Sequence, residues 1–394
     1  MSLFNKCRDF SGTIEVLKSQ NQFFYLREFD PCNTPQVTRR GKKMIMLGSN
    51  NYLGLANHPK VVEAAVKAIR EHGTGACSSR VLTGTTSLHT KLEEKLAQFK
   101  GTEAAVVFST GYMTMMGTIA ALTGEGDIVI SDELNHASIV EGCRLSKAQV
   151  KLYQHSDMHS LRDTLASCPG SGGKLVVTDG VFSMRGAVAN LPEIQTLAKR
   201  YGASVMVDDA HGSGVLGATG RGTLEHFGLE GKIDLVCGTF SKTFGAIGGF
   251  TCTSRDVATY LRLNARPFIF TASPPPSVVA TVLACLEVLE NEPELLQKLR
   301  SRSTLMKQGL RQLGFNIQDT ITPIIPIRIG NDERTFRMAG QLEAKGVIVN
   351  PIVPPAVPKE SSLVRVSMMA SLSEADIQYA LDKFAEVGKN EGIL

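Results

Sequence analysis

Seven short apolar runs, each separated from the next by a stretch of helical character, constrain this chain more than any other feature. The runs lie at 105–108, 128–130, 150–153, 175–178, 204–207, 235–237 and 250–252, are rich in Val and Ile, and are bounded by Gly, Asp or Ser. A strand that is apolar on both faces has to be covered on both, which is the condition of a mostly parallel sheet wrapped by helices. The segment therefore reads as α/β, doubly wound. The alternation stops near residue 285. Beyond it come a helical stretch over 286–313 interrupted at Pro293, strands around 324–329, 347–349 and 363–366, and a terminal helix from Ser373, the pattern of a smaller α+β domain. Ahead of the runs, Ile14, Leu17, Phe23 and Phe24 mark a helical arm, followed by two β-like runs. The expected division is an N-terminal arm over 1–45, a large domain over 46–285 and a small C-terminal domain over 286–394.

Local signals refine this outline. Pro59 opens a helix with Val62, Val66 and Ile69 on one face and Gly73 after its end. Arg39, Arg40, Lys42 and Lys43 read as a solvated hairpin, and the proline-rich stretch 351–358 as a stiff connection.

Charge and cysteine usage narrow the function classes. Forty-two basic against 38 acidic side chains leave a net +4, too little for a nucleic-acid or polybasic membrane protein. The eight cysteines form no C-x-x-C pair, which argues against a zinc knuckle or disulfide framework and for a reducing compartment. The N-terminal MSLFNKCRDF has no apolar signal core and no 18-residue apolar span occurs, so a cytoplasmic protein without a transmembrane segment is expected.

A literal G-x-G-x-x-G at Gly212, Gly214 and Gly217 invites a dinucleotide site. Gly220 and Gly222 break the helix it would need, and Asp234 precedes its strand instead of ending one, which weakens that reading and leaves a dinucleotide-binding protein as a remote alternative. The stronger constellation starts at Asp208, an acid at the carboxyl end of a buried run, where α/β sheets place ligands. Directly after the 235–237 run, Thr239, Ser241 and Lys242 are followed by Gly245, Gly248 and Gly249. Packing explains such a lysine poorly. A lysine that forms an imine, a carboxylate for a pyridinium nitrogen, and hydroxyl and backbone N–H donors for a phosphate are together what pyridoxal 5′-phosphate (PLP) requires. Ser109, Thr110, Gly111 and Tyr112, after the 105–108 run, supply the helix start that suits a phosphate.

At these residues the chain resembles the α-oxoamine synthase family of fold-type-I PLP-dependent acyltransferases. The resemblance runs from about residue 46 to 390 and rests on SNNYLGL (49–55), FSTGY (108–112), NHAS (135–138), DGVFSMRG (179–186), VDDAHGSG (207–214), GTFSKTFGAIGG (238–249) and LVRVS (363–367). Met115 and Ala187 depart from the family's usual Asn and Asp. The resemblance implies that Lys242 forms the Schiff base, that Asp208 meets the pyridine nitrogen and that His136 stacks on the ring. It implies further that His211 and Ser183 lie near the ring hydroxyl. Gly111, Tyr112, Thr239 and Ser241 would surround the phosphate, with Thr271 reaching it across a homodimer interface, so that the active site is shared. Arg365, with Asn50 or Asn51, would hold the amino-acid carboxylate. His89 and His155 are read as structural or substrate-lining. The implied reaction condenses an amino acid with an acyl-CoA, releasing CoA and CO2 and leaving an α-amino ketone. STGYM (109–113), RPFIFTASPPPSVVA (266–280) and the PPA segment before Leu363 are most similar to members that use serine and a long acyl chain. Siblings using alanine or glycine, another PLP reaction on the same fold, and a non-catalytic subunit are the alternatives.

Overall fold

The structure, a computed structural model, describes residues 2–20, 22–168, 170 and 172–394. Each of the seven apolar runs is a strand: β1 (Ala104–Phe108), β2 (Ile128–Asp132), β3 (Gln149–Tyr153), β4 (Lys174–Asp179), β5 (Ser204–Asp208), β6 (Leu235–Thr239) and β7 (Gly249–Thr253). They form one sheet in the order β1-β7-β6-β5-β4-β2-β3. Helical crossovers make β2 to β6 parallel, whereas β7 runs antiparallel to both its neighbours. The reason is length. Only residues 240–248 join β6 to β7, too few for a crossover, so the chain reverses and Lys242 stays at the carboxyl edge of the sheet.

One face of the sheet is covered by α1 (Gly111–Leu122) and α2 (Ala137–Ser146). Met115, Ile119, Val129, Ile139, Cys143, Val177, Met206 and Cys237 make that core, and each is almost fully buried. At Gly142 an added Cβ would lie 3.1 Å from Ile119 and Met116, so the two helices approach more closely than any larger residue permits. Burying a large aliphatic side chain contributes about 1.5–3 kcal/mol, and this cluster fixes α1 and α2, whose N-termini open on the site described below.

The chain divides into two compact units, one of residues 53–183 and 187–297, the other of residues 1–52, 184–186 and 298–394. The larger holds the seven-stranded sheet. In the smaller, Gln36–Arg39 and Lys42–Met46 form a hairpin whose turn residues Arg40 and Gly41 both have positive φ, the conformation that matches strand twist. Val347–Ile348 pairs with Lys42–Met46, and Ser367 N–H donates to the Leu47 carbonyl. These backbone bonds tie the N-terminal hairpin to C-terminal residues, so the chain is divided differently from the expected boundaries near 45 and 285. A second small sheet has Leu363–Ser367 between Ile324–Arg328 and Asn350–Ile352, and the closing helix Glu374–Asn390 is capped by Ser373.

Two expectations need correcting. In the helix Pro59–His72, Val62 and Ile69 are 45% and 42% exposed, and the buried residues are Val61 and Ala68. This helix packs on Pro276–Asn291, and the stripe of Val62 and Ile69 is left outside. The hairpin is also less solvated than expected. Arg39 Nε lies 2.7 Å from Glu343, and its guanidinium covers the Phe29 ring at 5.5 Å. Pro293 interrupts the helical stretch as expected, separating Pro276–Asn291 from Glu294–Gln312.

Candidate active site

A cavity of about 290 Å³ lies in the larger unit, at the carboxyl edge of the sheet. Its lining includes Thr110, Gly111, Tyr112, Met115, His136, Asp179, Ser183, Asp208, His211, Thr239, Ser241 and Lys242. The sheet's topology explains the convergence. β1, β2, β4, β5 and β6 all point their carboxyl ends the same way, so the residues following each strand meet at one edge.

One end of the cavity suits a phosphate. Thr110 caps α1 by accepting the Met113 N–H at 3.1 Å, which leaves the N–H groups of Gly111 and Tyr112 to begin the helix at the cavity. Opposite them, Thr239 Oγ1 donates to the Gly248 carbonyl at 3.0 Å and lies 2.9 Å from Ser241 Oγ. Position 111 has to be glycine. A Cβ there would come within 2.6 Å of Thr239 and fill the cradle.

The floor is acidic. Asp208 is buried and accepts the Ala210 N–H at 3.0 Å. Burial raises its pKa to about 6, while the Lys242 ammonium and the Ala210 N–H pull the other way. Directly opposite, in register across β4 and β5, stands Asp179. Burial, and then the adjacent Asp208 charge, hold the Asp179 carboxyl well above the usual carboxylate range. Lys242, half-buried on the 240–248 loop, is thus within electrostatic reach of both acids.

His136 caps α2. Its Nδ1 accepts the Ser138 N–H at 3.3 Å and meets Ser138 Oγ at 2.7 Å, and its ring stands edge-on to Tyr112. Burial, with Lys242 nearby, depresses its pKa, so the ring is neutral and the accepting Nδ1 leaves the proton on Nε2.

Most of the expected residues therefore come together in one cavity. Thr271 does not line it. It follows the helix Arg266–Ile269, with its hydroxyl 3.9 Å from Met113 Sδ. Arg365, Asn50 and Asn51 belong to the smaller unit. There Arg365 is buried in the middle strand of the small sheet, and its Nη2 donates to Asn50 Oδ1 at 3.4 Å. Asn51 donates to the Asn33 carbonyl at 2.8 Å. His89 is buried, completing the helix cap at Thr86 and meeting the Pro274 carbonyl, and His155 pairs with Asp132 at 3.0 Å. Both are structural here.

Two residues escaped the sequence reading. Asp179 is one. Asn135 is the other, accepting the Asp179 N–H at 2.8 Å and donating to the Val177 carbonyl at 2.8 Å and to Ser131 Oγ at 2.9 Å. The signal was present in the ends of β2, β4 and β5, each of which closes on Asp. The glycine motif is accounted for separately. Asp209 and Lys100 form a buried pair, and a Cβ at Gly212 or Gly222 would strike the Asp209 carboxylate at 2.0 or 1.8 Å. Asp234 accepts the Val205 N–H and is likewise structural.

A lysine, a buried acid and a glycine-lined phosphate cradle around one cavity fit PLP by size and chemistry. The comparisons agree. The family model described as aminotransferase class I and II matches residues 42–384. Serine palmitoyltransferase of Bacteriovorax stolpii is 46% identical, over 95% of this chain and 89% of that protein. The 8-amino-7-oxononanoate synthase of Exiguobacterium sibiricum is 44% identical, over 95% and 96%. A solved structure of SPT with PLP as internal aldimine superimposes over 100% of both chains with a TM-score of 0.94 at 37% identity.

Proposed function

From the premise that this chain belongs to the class I and II aminotransferase family, as a fold-type-I PLP-dependent α-oxoamine synthase, we propose that it condenses serine with a long-chain acyl-CoA. The products are CO2, CoA and a 3-keto long-chain base, an entry point to sphingolipids. The observation that carries this reading is the full-length superposition on the SPT structure, joined to 46% identity with a serine palmitoyltransferase. The 44% identity with an 8-amino-7-oxononanoate synthase favours alanine as the second reading.

When bound, PLP supplies an electron sink for charge developing at the amino-acid Cα. The chain's own residues then have distinct tasks. The N–H groups of Gly111 and Tyr112, with Thr239 and Ser241, hold the phosphate at a helix N-terminus. Asp208 would keep a proton on the ring nitrogen, and His211 and Ser183 would hold the ring hydroxyl. Neutral His136 would cover the ring and offer Nε2–H to the substrate carboxylate. Lys242 Nζ would hold the cofactor and is placed to act as the base for the Cα proton. Arg365, steadied by Asn50, grips the carboxylate with its planar fork and so fixes which Cα bond is broken.

Two copies share each site in this reading. Support comes from Thr271, which lies off its own chain's cavity, and from the bridged loops around Ser79 and Ala272. There Leu82 and Phe270 are 77% and 72% exposed, an arrangement that a second copy would cover.

The test is a panel of serine, alanine and glycine against short and long acyl-CoAs, following thiol release. Serine with a long acyl chain is expected to be the fastest pair. Alanine with a short or dicarboxylic acyl-CoA as the preferred pair would replace serine by the second reading, and no thiol release with any pair would sink both.

A further inference from the structure

The second acid of the cavity has no task in the reaction as described. Asp179 closes β4 directly opposite Asp208 on β5, and both side chains line the same cavity. Its backbone is pinned by Asn135, which also spans to Ser131 on β2. Its carboxylate accepts the His136 N–H, yet Oδ1 is buried without a hydrogen-bond partner. An ionised oxygen in that position would lack both water and a donor, and a buried acceptor left so is costly.

We propose that Asp179 is a positioning residue that acts through Asp208: it retains its proton on Oδ1 and donates it to the Asp208 carboxylate, so that the pair carries a single negative charge, aimed at the pyridine nitrogen. This inference rests on the PLP reading of the cavity. The charges around the pair support it. The titratable groups facing Asp179 are Asp208 on β5, Asp132 on β2, Tyr153 on β3 and Lys242 on the 240–248 loop, with His136 and His211 on the cavity wall. Asp132 is hydrogen-bonded elsewhere, to His155 and to the N–H groups of Leu134 and Ser156. His136 is neutral. The Lys242 ammonium acts on both acids, and binding the cofactor would commit that nitrogen. One cationic ring nitrogen would then face two carboxyls, and adjacent carboxyls in a dry site share a proton instead of both ionising. Asp208 already receives the Ala210 N–H, so the proton falls to the oxygen that has no donor.

The expected experiment uses the PLP-loaded protein. Infrared difference spectra at neutral pH, wild type against Asp179→Asn, should show the carbonyl stretch of a protonated carboxylic acid in the wild type. The pH midpoint of the lysine-bound cofactor's visible band should hold in Asp179→Asn, whose amide also donates, and move in Asp179→Ala. PLP should bind Asp179→Ala about ten- to a hundredfold more weakly, the range for one hydrogen bond to a charged group, and Asp179→Asn nearly as well as wild type. No protonated-acid band, or an Asn variant as impaired as Ala, would make Asp179 an ionised carboxylate and overturn the proposal. So would an Ala variant with unchanged affinity and titration. Should Ala fail to fold, the infrared comparison with Asn decides alone. Wild type that takes up no PLP on Lys242 would instead remove the function reading itself, a result recognisable before any Asp179 variant is made.

Discussion

Lys100 Nζ lies 2.7 Å from Asp209 Oδ2, so of two consecutive aspartates one faces the cavity and the other is locked into a buried ion pair beneath it. Lys100 also donates to Ser213 Oγ at 2.7 Å and to the Arg221 carbonyl at 2.6 Å, and Asp209 accepts from Thr223. Replacing Lys100 by Met leaves a buried carboxylate unpaired, which costs about 3–5 kcal/mol. Lys100→Met is expected to unfold at much lower denaturant while the folded fraction still takes up PLP. Unchanged stability in a denaturant titration would count against the pairing.

Asp208→Asn tests the neighbouring residue by a different readout. The fold should persist, because an amide of the same shape still accepts the Ala210 N–H. The rate should fall by about a thousandfold or more, the scale of about 4 kcal/mol of lost transition-state stabilisation. Asp209→Asn should show the reverse pattern, with stability lost and turnover per folded molecule retained. Kinetics and melting curves on the two variants separate the roles.

The raised pKa of Asp208 makes a pH prediction for the protein without cofactor. A carboxyl held above its ordinary value binds its proton more tightly when folded. Its contribution to stability is thus present below the ordinary carboxylate value of 3.8 and is lost as pH rises through about 6. Asp179 acts in the same direction. Measured as the difference in Tm between wild type and Asp208→Asn, wild type should lose ground to the variant on going from acid to neutral pH. A difference that does not vary with pH would contradict the burial argument.

Gly111→Ala places a Cβ 2.6 Å from Thr239. Thr239 is held by the Gly248 carbonyl and Ser241, so it has little room to retreat. The substitution should weaken PLP binding by at least about tenfold, with secondary structure unchanged by circular dichroism. Equal affinity would show that the cradle lies elsewhere.

The sheet was legible because its strands are apolar on both faces, a pattern that does not depend on partners. Lys242 and Asp208 were legible because they directly follow such runs. Asp179 was not, although it ends a run too, since its meaning comes from the register that sets it against Asp208. The helix Pro59–His72 misled for a related reason: large aliphatics suggest the inner face, but Val61 and Ala68 are the residues it buries. Arg39 and Arg365 likewise depend on residues hundreds of positions away, Glu343 and Asn50, that no local pattern connects to them.

The reversal between β6 and β7 has a bearing on turnover. In the proposed reaction the lysine at 242 would release its cofactor in every cycle and have to find the same carbon again. Both ends of its loop are stitched into interior strands of the sheet, neither at an edge, so a detached amine would swing on a short arm with a fixed pivot. Re-engagement is then a matter of side-chain rotation on the nanosecond scale and needs no rearrangement of the main chain.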